Sequence, residues 1–140
     1  MPLFPSAAWC RQLVELANAD PEAQAAGQGW NWDVAFVVDA DPPACPEPFA
    51  VWGRPRDGRV ETFRVLDDLG EIDELDPPYL LRARYRIWKD LLQGRLDPVK
   101  ALTGRQIQLR GDLTELLRRL KYRPIADRIL GLMETEFAKE

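Results

Sequence analysis

Few side chains in this chain could do chemistry, and their spacing supports none of the common reactions. The 140 residues contain no histidine and two cysteines. The absence of histidine removes the commonest general acid–base group and the usual hydrolase triads. Cys10 and Cys45 lie far apart in the sequence, and neither has a neighbouring general base that could activate it as a nucleophile. We expect both thiols to stay reduced and the protein not to be an enzyme.

Carboxylates are the remaining candidates for a reactive or metal-binding site. The run from Asp67 to Asp76 could be interpreted as a calcium loop, but it lacks the ligand spacing and central glycine of an EF-hand. We expect it to be a solvated loop with one apolar edge. Asp39 and Asp41 come at the end of a predicted strand, where a simple exit to solvent is favoured over a catalytic carboxylate pair. With no glycine-rich phosphate loop either, the sequence predicts no metal site and no cofactor.

Apolar side chains could form a site of another kind. Trp30 and Trp32 and the other tryptophans could line a ligand cavity or belong to the core. A final helix is predicted from Pro124 to about Ala138, with one apolar stripe made by Ile125, Ile129, Leu132, Met133 and Phe137. It could be a movable cover over a cavity, a fixed core helix or a surface that docks on a second subunit. Its periodicity does not separate these alternatives.

The composition is that of an ordinary globular protein, with 46% hydrophobic and 30% charged residues. The length favours one domain over residues 1–140. A formal charge of −4 argues against nucleic acid as the main partner. No apolar run reaches the roughly 18 residues of a membrane span. The N-terminus lacks the pattern of a signal peptide, so we expect a cytoplasmic protein.

The first two thirds of the chain predict helices followed by strands. Ser6 caps a helix to about Asn18, and a short second helix follows Asp20. The predicted strands are Asp33–Asp39, Phe49–Gly53, Arg59–Val65 and Tyr79–Ala83, with a hairpin turn over Pro55–Gly58 and a proline-rich loop over Ala40–Pro48. Five consecutive apolar residues make the first strand central in its sheet, because both of its faces must be buried.

The segment WKDLLQGRLDPVKALTGRQIQLRGDL carries the densest set of boundary signals. Its first residues, Trp88, Leu91 and Leu92, share one face of a helix, and Gly94 follows where a left-handed cap would end that helix. Three apolar side chains on one face predict that this helix packs against the rest of the domain.

The same segment continues with a helix, a strand and the start of another helix. Asp97 and the following proline begin the helix, which Gly104 ends. Arg105–Arg110 alternates apolar and polar residues like a half-buried strand. Asp112 and Glu115 then form a capping box for a leucine-rich helix. Three strands followed by strand, helix, helix, strand and helix predict an α+β fold with one five-stranded sheet.

The order LQGRLDPVKAL followed by QLRGDL resembles the C-terminal half of the sterol carrier protein type 2 (SCP2) family of lipid-binding domains. The likeness extends from Trp88 to Leu117, about a quarter of the chain. The resemblance implies a five-stranded, mostly antiparallel sheet with helices packed on one face, enclosing an apolar tunnel. It also implies a hydrophobic ligand, either a fatty acid, an acyl ester or a sterol-like lipid, and thus a role in lipid binding or transport.

Placing the apolar faces on that family topology gives a predicted lipid site. The residues expected to line or close it are Phe36, Val38, Leu91, Leu92, Leu96, Leu102, Leu109, Leu117, Ile129 and Met133. The alternative is an interaction module of the same fold, without a physiological lipid, that uses these faces for homodimerisation or within a larger complex.

Overall fold

The computed structural model describes residues 1–139, in which five strands form the main sheet and two short strands pair separately. The strands are β1 (Leu3–Phe4), β2 (Val34–Asp39), β3 (Phe49–Arg56), β4 (Arg59–Leu66), β5 (Tyr79–Arg84), β6 (Gln108–Arg110) and β7 (Glu136–Phe137). The helices are α1 (Ala7–Asn18), α2 (Pro21–Ala26), α3 (Glu71–Leu75), α4 (Tyr85–Leu92), α5 (Pro98–Thr103), α6 (Leu113–Arg119) and α7 (Arg123–Leu132). None of these helices is long and apolar enough to cross a bilayer.

The main sheet has the strand order β4–β3–β2–β5–β6. Strands β2 and β5 run parallel, and every other neighbouring pair is antiparallel. Strand β2 is therefore central, as predicted. Val37 and Val38 point to opposite faces of it and are 0% and 4% exposed. The predicted α+β class with a five-stranded, mostly antiparallel sheet is confirmed.

Most of the helical layer covers one face of the sheet. Val38 belongs to a buried cluster on this face with residues of α1 and α4 and with Met133. Leu81 and Ala83 of β5 lie on the same face and pack with residues of α4, α5 and α6. We call this face the helical face of the sheet.

The opposite face is covered by α3, where the sequence predicted only a loop from Asp67 to Asp76. Ile72 of α3 is 5% exposed and packs against Val37 and neighbouring apolar residues of the sheet. The Glu71 carboxylate accepts hydrogen bonds from the backbone N–H groups of Asp67 and Asp68, at 2.8 and 3.1 Å. The run is thus folded back on itself, and its apolar edge is buried.

Local capping signals were reliable. The Ser6 hydroxyl accepts from the N–H of Trp9 at 3.1 Å, and the Asp112 carboxylate accepts from the N–H of Glu115 at 3.1 Å. The predicted capping box is half formed, because the Glu115 carboxylate pairs with Arg118 and Arg119. Arginines one turn further along the helix compete for the same oxygens.

The predicted extent of the last helix is wrong. Helix α7 ends at Leu132, and Met133 is already extended, with a ψ of 132°. Phe137 lies in β7, not on the helical stripe, and β7 pairs in parallel with β1. The apolar spacing continues past the helix, although the backbone does not.

Contacts with the start of the chain explain why the helix stops there. The N–H of Glu136 donates to the carbonyl of Pro2 at 2.9 Å, and the indole N–H of Trp9 donates to the Thr135 hydroxyl at 3.0 Å. Gly131, a poor helix former, lies in the last turn. Tertiary pairing therefore replaces the helical hydrogen bonds after Leu132.

The hairpin turn is tighter than predicted, because β3 continues to Arg56. The turn residues are Asp57 and Gly58, whose φ values of +48° and +91° are those of a two-residue hairpin turn. Gly58 lies against the backbone of Gln24 and leaves no room for a Cβ atom. The N–H of Asp57 donates to the carbonyl of Trp30 at 3.1 Å, so the hairpin tip is held against the segment that follows α2.

Strand β6 is shorter than the predicted Arg105–Arg110. Arg105 has a φ of +62°, and the N–H groups of Gln106 and Ile107 donate to the carbonyl of Ala101 at 2.8 and 3.0 Å. These bonds hold the segment as an extension of α5. Ile107 and Leu109 nevertheless pack in the same cluster, as their alternation predicted.

Candidate ligand site between the sheet and the helices

The most unusual side chain on the helical face is Phe36, in the middle of the central strand. Its direct neighbours in the sheet are Val51 of β3 and Leu81 of β5. Phe36 is nevertheless 38% exposed, whereas Val38, the next residue on the same face, is 4% exposed. An aromatic ring at the centre of a sheet face keeps this exposure only where the helices do not cover it.

Trp88 lies beside Phe36 at the edge of the uncovered area. Its ring lies edge-on to Phe36, with 6.0 Å between ring centroids. Its indole N–H donates to the carbonyl oxygen of Val37 at 2.9 Å, which fixes α4 against β2. Trp88 packs against both buried clusters of the helical face, the one containing Val38 and the one containing Leu81.

Half-buried leucines continue the apolar surface on the β5–β6 side. Leu91, Leu96, Leu109 and Leu117 pack against the buried cluster that contains Leu102. Each has one side in contact with that cluster and keeps part of its surface accessible. No charged residue of 1–139 is buried, so the interior beneath the helices is apolar.

The structure divides the ten predicted lipid-site residues into three groups. Leu91, Leu96, Leu102, Leu109 and Leu117 lie together in the cluster beside β5 and β6. Val38, Leu92 and Met133 lie in the cluster beneath α1 and α4, and Ile129 is buried on α7. Phe36 lies on the same sheet face as Val38 and Leu81 and contacts Trp88, which packs against both clusters. Their role in binding stays a prediction.

The structure adds residues to this region that are not among the ten predicted for the site. Trp88, Leu116 and Leu120 pack against the cluster beside β6, and so does Val34. Two of them could have been found from the sequence. Trp88 shares a helical face with Leu91, and Val34 alternates with Phe36 along β2.

Both cysteines belong to the buried cluster on the helical face and are free thiols. Burial raises the pKa of Cys10 to about 11. Burial, with a smaller contribution from Asp41, raises the pKa of Cys45. A thiol with a raised pKa is a poor nucleophile at neutral pH, so these residues act as small apolar core groups.

The carboxylates at the end of β2 are ion-paired, and the predicted simple exit to solvent is wrong. Asp39 pairs with Arg82 at 2.7 Å, and Asp41 pairs with Arg86 at 2.9 Å. The Arg86 hydrogen bond holds the pKa of Asp41 below its usual range. Because each carboxylate has its own arginine, they do not form a shared acid–base pair. No group of three or more Cys, Asp or Glu in residues 1–139 is placed to hold a metal ion.

Solved structures with this architecture are known. No family model matches the chain, and no curated protein matches it in sequence. A crystal structure of sterol carrier protein 2 matches with a TM-score of 0.70 and 22% identity, over 91% of this chain and 94% of that one. A conserved hypothetical protein from Thermus thermophilus, described as possibly a sterol carrier protein, matches with a TM-score of 0.68 and 21% identity. The match covers 89% of this chain and 82% of that one.

A further solved structure shares this architecture. The sterol carrier protein domain 2 of Helicoverpa armigera matches with a TM-score of 0.57 and 19% identity, over 92% of this chain and 91% of that one. The chain therefore has the fold of sterol carrier protein 2, as the resemblance implied.

Proposed function

We propose that this protein binds a hydrophobic ligand between the sheet and the helices and carries it without chemical change. The observation on which the proposal rests is the exposure of Phe36 at the centre of the helical face. The ligand class is a fatty acid, an acyl ester or a sterol-like lipid. The fold shared with sterol carrier protein 2 supports this class.

The energetics favour such a ligand. Each methylene group removed from water contributes about 0.8 kcal/mol, so an apolar chain lying over Phe36 needs no charged partner to bind. The same contact would bury the exposed part of the Phe36 ring. The surrounding leucines present apolar surface, and no buried charge within residues 1–139 opposes an apolar chain.

The ten predicted residues would divide into two sets, one that contacts the ligand and one that supports the contacting residues. Phe36 and the half-buried Leu91, Leu96, Leu109 and Leu117 would contact the ligand, together with Trp88. The other five predicted residues would support this lining from the protein interior, namely Val38, Leu92, Leu102, Ile129 and Met133. Substitutions in the first group should change affinity more than stability, and those in the second should do the reverse.

A titration with a fluorescent fatty acid tests the proposal, with tryptophan quenching as the signal. We expect saturable, competable binding with micromolar or better affinity. Phe36→Asn should weaken it at least about tenfold, since lost apolar contact costs about 25 cal/mol per Å². The matched control is Leu113→Asn, because Leu113 is 39% exposed and Phe36 is 38% exposed. An unsaturable signal at tens of micromolar, or equal weakening by both variants, would contradict the proposal.

Native mass spectrometry of protein purified without detergent tests the same proposal independently of any added probe. An extra mass of a few hundred daltons on the folded protein is the expected result. A ligand-free dimer would instead favour the interaction module.

A further inference from the structure

The main sheet has two edge strands, and β4 is the longer of them. Strand β4 has eight residues, whereas β6, at the other edge, has three. An edge strand presents backbone N–H and C=O groups that can pair with a strand of another chain. The outer side of β4 is therefore a candidate surface for self-association.

The side chain of Asn18, the last residue of α1, lies against this outer side. Its carboxamide oxygen accepts from the N–H of Val60 at 2.8 Å, and its carboxamide N–H donates to the carbonyl of Val60 at 2.9 Å. A residue of a neighbouring antiparallel strand would make the same two hydrogen bonds. Asn18 thus occupies the position that an added strand would take.

The strand register identifies a second residue whose backbone faces outward. Val60 lies opposite Pro55, and Val65 lies opposite Val51. The bulge between these pairs lies in β4, so β3 keeps its regular alternation. Because Val60 bonds to Asn18, its partner Pro55 points its backbone groups away from β4, and so does Val51, four residues earlier. Val65 therefore directs its N–H and C=O outward, as Val60 does.

The charges of β4 match those of a second copy of the same strand. An antiparallel pairing that places Val60 opposite the second copy's Val65 also places Glu61 opposite the second copy's Arg64. Two-fold symmetry repeats this contact, so the pairing contains two opposite-charge contacts, which stabilise neighbouring strands. Glu61 and Arg64 are both exposed.

Arg64 also distinguishes this pairing from a shifted one. A register with Phe63 opposite the second copy's Val65 would bring the two Arg64 side chains together, and like charges directly opposite each other are destabilising. Within the chain, Arg64 pairs with Glu71 at 3.5 Å, but the Arg64 side chain is 55% exposed. Such an exposed ion pair contributes little and does not prevent a contact with Glu61 of a second copy.

We propose that β4 is a latent self-association edge and that Asn18 is an autoinhibitory contact that keeps it closed. While Asn18 holds the N–H and C=O of Val60, a second copy of β4 finds this end of the strand occupied. Pairing requires the Asn18 side chain to move away. The proposal goes beyond ligand binding and does not depend on it, since neither Asn18 nor Val60 belongs to the candidate ligand site.

Sedimentation equilibrium on the full chain tests the proposal. We expect wild type to be monomeric and Asn18→Leu to dimerise at least about tenfold more tightly, because wild type must first give up two hydrogen bonds. Amide hydrogen exchange at Val65 should be slow in the dimer, since its N–H would donate to the second copy.

The matched control is Asn31→Leu. Asn31 also bonds to the β3–β4 hairpin, accepting from the N–H of Asp57 at 3.1 Å, but it does so at the turn and not along the edge of β4. This variant should stay monomeric. Circular dichroism checks that each variant is folded, and Asn18→Ser serves as a milder change if Asn18→Leu prevents folding.

Charge changes test the register of the pairing. Asn18→Leu/Glu61→Arg should return to a monomer, because it brings like charges opposite each other, and adding Arg64→Glu should restore the dimer. A folded Asn18→Leu protein that stays monomeric would overturn the proposal. So would a dimer that is unaffected by Glu61→Arg, fast exchange at Val65 in the dimer, or equal dimerisation of Asn31→Leu.

Discussion

The indole nitrogen of Trp88 donates a 2.9 Å hydrogen bond to the carbonyl oxygen of Val37. This bond joins α4 to the middle of the central strand and places the Trp88 ring edge-on to Phe36. The position of Trp88 beside the candidate ligand site is therefore set by this hydrogen bond together with its packing against both buried clusters.

Trp88→Phe should destabilise the protein by about 1–3 kcal/mol, because it removes the donor from a buried carbonyl and leaves a smaller ring. Denaturant unfolding measures the change. Trp32→Phe is the control, since Trp32 is 39% exposed and its substitution should stay within about 0.5 kcal/mol. Equal effects of the two changes would mean that the hydrogen bond from Trp88 to Val37 adds little to the free energy of unfolding.

Asp112→Ala should lower the free energy of unfolding by about 0.5–2 kcal/mol, because its carboxylate caps α6 at the N–H of Glu115. Thr114→Ala, an exposed change in the same turn, is the control. An unchanged denaturation midpoint in Asp112→Ala would show that the cap contributes nothing to stability.

Met133→Asp should unfold the protein or cost more than about 3 kcal/mol, because an unpaired charge would enter a buried cluster. Leu132, its neighbour, is 60% exposed, so Leu132→Asp should be tolerated. One of the three sequence-based alternatives places Met133 in a movable cover, in which case Met133→Asp would stay folded and lose only ligand. Circular dichroism and the fatty-acid titration on one sample separate these outcomes.

Asp20 should make stability depend on pH in the acid range. Its ion pair with Arg128 at 2.8 Å and its bond to the N–H of Ala23 lower its pKa to about 2. The folded form therefore holds the proton less tightly than the unfolded chain, whose Asp has a pKa near 3.9. The resulting stability is complete above about pH 4 and is lost as the pH falls towards 2.

Asp20→Asn removes this charge but keeps a good N-cap residue. The melting temperatures of wild type and variant should differ above pH 4 and converge near pH 2. Melting curves between pH 2 and 6 measure this difference. A difference that persists unchanged to pH 2 would mean that the Asp20–Arg128 ion pair is not its source.

Signals between residues close in sequence predicted the fold well. The caps at Ser6 and Asp112 and the alternation of Ile107 and Leu109 depend on neighbours a few positions away, and the structure contains all of them. The same is true of the central strand, whose two faces must both be buried.

Features that depend on distant partners were missed. The pairing of β1 with β7 joins residues from opposite ends of the sequence, and apolar spacing alone could not predict it. The candidate site was only partly predictable for the same reason. Val34, Phe36 and Val38 are equivalent in the strand pattern, and only the helices above them make Phe36 the exposed one.

The contact of Gly58 with Gln24 has a consequence for how a ligand could enter. The β3–β4 hairpin tip is held by that contact and by the bond from the N–H of Asp57 to Trp30. We therefore expect slow amide hydrogen exchange at Asp57, although turns usually exchange fast. With the hairpin held in this way, we expect any opening that admits the proposed ligand to come from the helical layer.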